Sequence, residues 1–409
     1  MTKFQSFDDQ SDPATCAPRL KLLRGELARR GLDGFIVPRA DEHQGEYVPK
    51  RAERLAWLTA FTGSAGIAVV LADRCAIFVD GRYTLMVRGQ VDTALIEPRD
   101  LVAEGPGAWL ETNAPRSGKI GFDPWLHTAA AIDAMTASVA KAGATLIACT
   151  SNPIDAVWAD QPDGPSAKAI PHRPNLAGEA AEAKRTRIAE DVKAKGADAV
   201  VITMPDSICW LLNIRGDDVP HTPFALSFAI LHGDGTTDLF IDDRKTSPEL
   251  IQHLGNAVRL HAPAAFAPAL DGLSGKTVAV DPNTAAAAIF ASLDKAGAKV
   301  LRLADPCQLA KACKNSIEVE GMRKAHIRDG IAMAKFLCWL AKEAPKGGLD
   351  EIGAAEKLEA IRGQSEYLTD LSFDSISAAS QHAELIKGAA ELGADDVLDR
   401  HVVPRRLRA

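Results

Sequence analysis

The chain repeats its own hydrophobic pattern. Residues 19–37, RLKLLRGELARRGLDGFIV, place Leu20, Leu23 and Leu27 three and four positions apart, ahead of Gly31 and an apolar run. That spacing predicts a helix with one buried face, a glycine stop and then a strand. Residues 185–202, RTRIAEDVKAKGADAVVI, follow the same plan, with Ile188 and Val192 on the apolar face and Gly196 as the stop. The correspondence continues in order. AWL at 56–58 answers CWL at 209–211, and AIFVDGR at 76–82 answers DLFIDDR at 238–244. SGKIGFDP at 117–124 answers SGKTVAVDP at 274–282, and KAGATLI at 141–147 answers KAGAKVL at 295–301. Collinear matches of this kind predict two similar α/β domains in tandem, 15–160 and 176–313. Between AWL and FVDGR, the run GIAVVL, the turn ADR and the run CAIFV predict a hairpin. The stretch 161–175, QPDGPSAKAIPHRPN, is rich in proline and polar residues and reads as the linker.

The texture changes at 314. Met322, Ala325, Ile331, Ala334, Leu337 and Leu340 recur at near-helical spacing, and Asn315 with Glu318 has the form of a capping box. Pro345 and the pair Gly347-Gly348 stop this helix. Asp350 caps a second one, EIGAAEKLEAIR, which ends at Gly363, and 367–378 reads as extended. Helix, helix, strand is the opening of an α+β domain, expected over 314–378. The remainder, 379–409, departs from every pattern before it.

Composition narrows the function. A net charge of −7 and a pI near 5.8 exclude a basic stripe of the kind that displaces counterions from nucleic acid. No apolar run approaches the roughly 18 residues of a membrane helix, and the first residues carry acids with no apolar core of a secretory signal. Seven scattered cysteines read as reduced thiols of a cytoplasmic protein. Cys307 and Cys313 are expected to be core thiols. The glycine-rich TGSAG at 62–66 lacks a phosphate-loop pattern and leads into a strand, so a tight turn is expected.

Several stretches together resemble the long, three-domain form of the Xaa-Pro aminopeptidase (aminopeptidase P) family. They are ERLAWLTAFTGSAGIAVVL, FVDGRYTLMVRGQVD, GFDPWLH, NPIDAVWADQP, WLLNIRGDDVPHTPFALSFAI, EGMRKAHIRDGIAMAKFLCWL and LSFDSISA, spread from about residue 15 to 378. The resemblance implies two creatinase-like N-terminal domains followed by a pita-bread catalytic domain. It also implies release of the first residue from peptides with proline second, and a homodimer. The implied chemistry uses two divalent ions, manganese in most members, held by two Asp, one His and two Glu. Such ions sharpen a bridging water and polarise the scissile carbonyl. In the family the strand matching LSFDSISA continues into a glycine turn, a His-Tyr pair and the first aspartate ligands. After Ala378 this sequence matches none of that. The expectation is therefore an incomplete pita-bread domain, no metal bound by this chain, no catalytic residue within it, and no activity of the chain by itself. The alternative is a non-catalytic creatinase-domain protein for association or peptide binding.

Other metal candidates fail on pattern. HGDGTTDLFID at 232–242 imitates an aspartate-ligand motif, yet Asp238 falls in the duplicated strand and position 227 is Ser where a paired aspartate is expected. His43 with Glu46, and His382 with Glu384, lack a third ligand. Asp217, Asp218 and His221 read as a loop. One residue stays as a binding candidate: the resemblance gives Arg82, in VDGRY, a contact with bound peptide, for which a guanidinium fork is suited. Arg244 holds the equivalent slot in the second copy. Trp57, Trp210 and Trp339 are expected in cores, and the basic end RRLRA is expected to be solvated.

Overall fold

A computed structural model of the chain describes residues 4–7 and 11–377. The expected aberrant tail, 379–409, lies outside the described residues, and so do Ala378, His382 and Glu384.

In the first copy, α1 (Cys16–Arg29) buries Leu20, Leu23 and Leu27, and Gly31 turns the chain at φ +68° into β1 (Gly34–Pro38). A side chain there would strain the left-handed turn. α2 (Arg54–Thr59) follows, then the hairpin β2 (Ile67–Leu71) and β3 (Cys75–Val79). Residues 62–66 are a loop entering β2, as the sequence implies. α3 (Thr84–Gln90), β4 (Glu97–Asp100), α4 (Gly105–Asn113), β5 (Lys119–Phe122), α5 (Ala129–Lys141) and β6 (Thr145–Ala148) complete the copy. The sheet runs β4-β3-β2-β1-β5-β6. Its central strand β1 pairs antiparallel with β2 and parallel with β5, so Ile36 faces both Val69 and Phe122. The inner strands β1, β2 and β3 are apolar, and all five residues of β1 are buried.

The second copy repeats this. Its elements after β7 (Ile170–Pro171) and α6 (Pro174–Ala177) are α7 (Ala181–Ala194), β8 (Ala199–Ile202), α8 (Pro205–Leu212), β9 (Ile214–Arg215), β10 (Phe228–His232) and β11 (Thr237–Phe240). α9 (Pro248–Leu254), β12 (Val258–His261), α10 (Phe266–Asp271), β13 (Thr277–Val280), α11 (Ala287–Ala296), β14 (Lys299–Arg302) and α12 (Pro306–Ala312) follow. The sheet order β12-β11-β10-β8-β13-β14 matches the first sheet strand for strand. β7 and β9 form a small separate pair. Gly196 takes φ +85° where Gly31 stands in the first copy. Even the pins agree: the Asp33 carboxylate accepts from Lys119 N at 2.8 Å, and the Asp198 carboxylate accepts from Thr277 N at 2.8 Å. The tandem α/β architecture is thus the one the repeat predicts.

The chain divides into two compact units. One comprises 11–80 with 87–317, holding both sheets. The other comprises, of the described residues, 4–7, 81–86 and 318–377. The second unit is built on α13 (Ser316–Glu343) and α14 (Glu351–Arg362). Gly347 and Gly348, at φ +75° and +81°, end the first stretch, and Asp350 caps α14 by accepting from Gly353 N at 2.6 Å. α14 buries Ala354, Ala355, Leu358 and Ile361, while Met322, Ile327 and Ile331 of α13 are exposed.

Three expectations need correction. Residues 367–377 carry no strand. A strand needs a neighbouring backbone, and here Ser375 N–H and C=O bond to the Gln5 side chain instead. Cys307 is a core thiol, but Cys313 ends α12 in solvent. Trp57 and Trp210 are buried, whereas Trp339 is half-buried beside Phe336, on a helix largely bare along its length. Among the described residues no helix is long and apolar enough to cross a membrane.

Candidate functional site

In open α/β sheets, ligands gather outside the carboxyl ends of strands, where the topology switches direction. β1 lies at such a point, with an antiparallel neighbour on one side and a parallel one on the other. Here the copies differ. In the second, β8 ends at Ile202 and α8 begins at Pro205; in the first, residues 39–53 intervene between β1 and α2. This added loop buries Asp41 and His43. Asp41 Oδ1 accepts from His43 N at 3.0 Å and Gly45 N at 3.2 Å, while Oδ2 is buried without a partner. The His43 ring stacks on Phe228, 4.4 Å between centroids, with Nδ1 3.1 Å from Thr203 O.

Parallel to β1, β5 runs into Asp123 and His127, both buried. Burial pushes the Asp123 carboxyl up, against the bonds it accepts from Trp125 N at 2.9 Å and Asn152 Nδ2 at 2.9 Å. Burial pushes the His127 imidazole down to about 4, so the ring is neutral at pH 7. It is hydrogen-bonded to the Ile36 backbone, and its Nε2 is buried with no partner. Sequence reasoning considered His43 only beside Glu46 and missed Asp41, Asp123 and His127. The signal available was the unequal spacing before AWL and CWL.

The same end of each sheet joins the copies. Ala288 N donates to Pro124 O at 2.9 Å, and its counterpart Ala130 N donates to Pro282 O at 3.1 Å. Ala287 N donates to His127 O at 2.8 Å, and Ala129 N donates to Ala285 O at 3.3 Å. Thr128 and Ala286 pair between them as an antiparallel bridge. Equivalent segments therefore clasp each other about a local two-fold, an isologous contact within one chain. Trp125 adds an aromatic wedge, packed beside Phe228 and Phe266.

The remaining candidates scatter. Arg82 is exposed just beyond β3, its guanidinium 5.1 Å over the Tyr83 ring. Arg244, its counterpart, is clamped by Asp242, whose carboxyl that guanidinium holds well below the usual range. Glu46 accepts from Ser64 Oγ at 3.2 Å. Asp217 is exposed, and Asp218 is buried 2.6 Å from Lys245 Nζ, so these two do not converge on an ion. Asp238 stands in the β10–β11 hairpin, bonded to His232 at 2.7 Å, His261 at 2.9 Å and Arg259 at 2.8 Å. With a guanidinium on the same carboxylate, this group does not fit a cation. Among the described residues no group of three or more His, Cys, Asp or Glu is arranged to hold a metal ion, so the donor set of a two-ion centre does not fit them.

Comparison with known proteins places these features. Creatinase/Prolidase N-terminal domain models match residues 19–157 and 160–318. The probable Xaa-Pro aminopeptidase P of Talaromyces stipitatus is 35% identical across 97% of this chain and 62% of its own length. That of Talaromyces marneffei is 36% identical across 94% of this chain and 60% of its own. The chain thus spans about three-fifths of the length of these curated relatives. The crystal structure of X-prolyl aminopeptidase from Caenorhabditis elegans, described as a cytosolic enzyme with a di-nuclear active site, superposes with a TM-score of 0.83 at 29% identity. It covers 91% of this chain and 64% of the worm protein. The chain belongs to the aminopeptidase P family, with two creatinase N-terminal domains in tandem ahead of the opening helices of a pita-bread domain.

Proposed function

We propose that the chain derives from a cytoplasmic, metal-dependent Xaa-Pro aminopeptidase, which removes the first residue from peptides with proline second, and that the polypeptide as it stands is inactive. The similarity to Xaa-Pro aminopeptidases across nearly the whole chain supports the first part. The second rests on coordination chemistry: among the described residues no three His, Cys, Asp or Glu side chains gather to hold an ion. Two manganese ions and a homodimer belong to the proposal for the intact enzyme, with Arg82 contacting the bound peptide. The limits 15–160, 176–313 and 314–378, with 161–175 as linker, are proposed too. The purified 409-residue chain should hold no stoichiometric manganese and should leave an X–Pro peptide uncut. Near-stoichiometric metal together with cleavage would overturn the inactive reading.

A second reading, association without catalysis, is favoured by the bare apolar side chains Met322, Ile327 and Ile331 on α13. It expects the 409-residue chain to self-associate more than one ending at Asn315. Equal sedimentation behaviour of the two would argue against it.

A further inference from the structure

The first described residues are tied to the last. Glu359, on α14, accepts from Phe4 N at 2.8 Å through Oε1 and from Gln5 N at 3.3 Å through Oε2. Gln5 is itself buried, and its amide meets one residue twice: Nε2 donates to Ser375 O at 3.1 Å, and Oε1 accepts from Ser375 N at 2.8 Å. A side-chain amide there does what the backbone of a neighbouring strand would do. Four bonds thus run through two adjacent residues, joining a helix to a segment some 370 positions from the strap. Chain ends are ordinarily poorly held unless something ties them down, and each bond here satisfies a backbone group.

We propose that residues 4–7 are a strap latching α14 to the segment 371–377, so that removing or capturing the strap is read out as loosening of that segment. The latch has two jaws. Glu359 fixes where the strap lies, and the fixed strap presents the Gln5 amide to Ser375. The jaws therefore act in series, and releasing either one frees the segment. This distinguishes a strap from two independent surface contacts, whose losses would multiply.

Amide hydrogen exchange on the full 409-residue chain tests it. Glu359→Gln and Gln5→Ala should each speed exchange across 371–377 at least tenfold, and the double variant should be no faster than the faster single. The amides of β8 serve as the unaffected reference. Unchanged exchange across 371–377 in Glu359→Gln, or effects of the two substitutions that multiply, overturns the proposal. If Glu359→Gln also loosens α14, Gln5→Glu decides. It keeps an acceptor for Ser375 N, loses the donor and leaves α14 untouched. Faster exchange across 371–377 with α14 still protected supports the strap, and no change rejects it.

Discussion

The two copies of the repeat share a skeleton and differ in what they bury. Both pin the turn after the strand that parallels the centre with one aspartate: Asp123 accepts from Trp125 N and Asp281 from Asn283 N. Both anchor the next turn from the second oxygen, Asp123 to Asn152 Nδ2 and Asp281 from Asp305 N. Around these shared pins the first copy adds the loop 39–53, an unpartnered Asp41 oxygen and a neutral buried histidine. The second copy has Ala285 at the position of His127, and buries the pair Asp218–Lys245, whose Asp218 Oδ1 is left without a partner as Asp41 Oδ2 is in the first. Duplication preserved what the backbone needs, while each copy buries its own set of polar groups.

The largest effect should separate the copies by their buried ion pairs. The side chains of Asp218 and Lys245 are at most 5% exposed, so Asp218→Ala strands a buried ammonium and should cost about 3–5 kcal/mol in urea unfolding. Arg54→Ala in the first copy leaves Asp155 with 30% of its side chain in solvent and should cost less, about 1–3 kcal/mol. A reversed order would break the comparison.

Acid should act next, through His127 in the first copy and His172 ahead of the second, both imidazoles that burial holds down at about 4. The imidazole of His127 lies below its ordinary 6.5, at about 4. Between those values the unfolded chain binds the extra proton, so stability is lost as pH falls through this window. The loss approaches roughly 3 kcal/mol below pH 4. His127→Gln should reduce the slope in that part of the pH profile, leaving the share of His172, and an unchanged slope would assign acid sensitivity elsewhere.

Smaller effects test the shared skeleton. Asp123→Ala and Asp281→Ala should each cost about 1–3 kcal/mol and agree closely, because each strips two bonds from matching turns. Arg244→Ala, losing an exposed pair with Asp242, should leave the unfolding midpoint almost unchanged. A larger loss would give Arg244 a role that its position does not.

The repeat was readable because helix faces, glycine stops and apolar runs are local. Leu20, Leu23, Leu27 and Gly31 announce their structure within a few turns of chain, and Ile188, Val192 and Gly196 announce it again. Asp350 and Gly363 bounded a helix for the same reason. The buried Asp41 and His127 were not readable, since they lie far apart in sequence and carry no motif spacing. The segment 367–377 misled because alternation promises a strand only where a second backbone arrives.

By itself, then, the sequence determined two α/β domains, a consequence of periodic burial, and through the stretches it shares with relatives the family to which they belong. Only the tertiary structure decided that the copies clasp through backbone groups of Pro124, His127, Pro282 and Ala285, and that Gln5 meets Ser375. Backbone hydrogen bonds are open to almost any side chain, so such contacts leave little trace in the residues that make them.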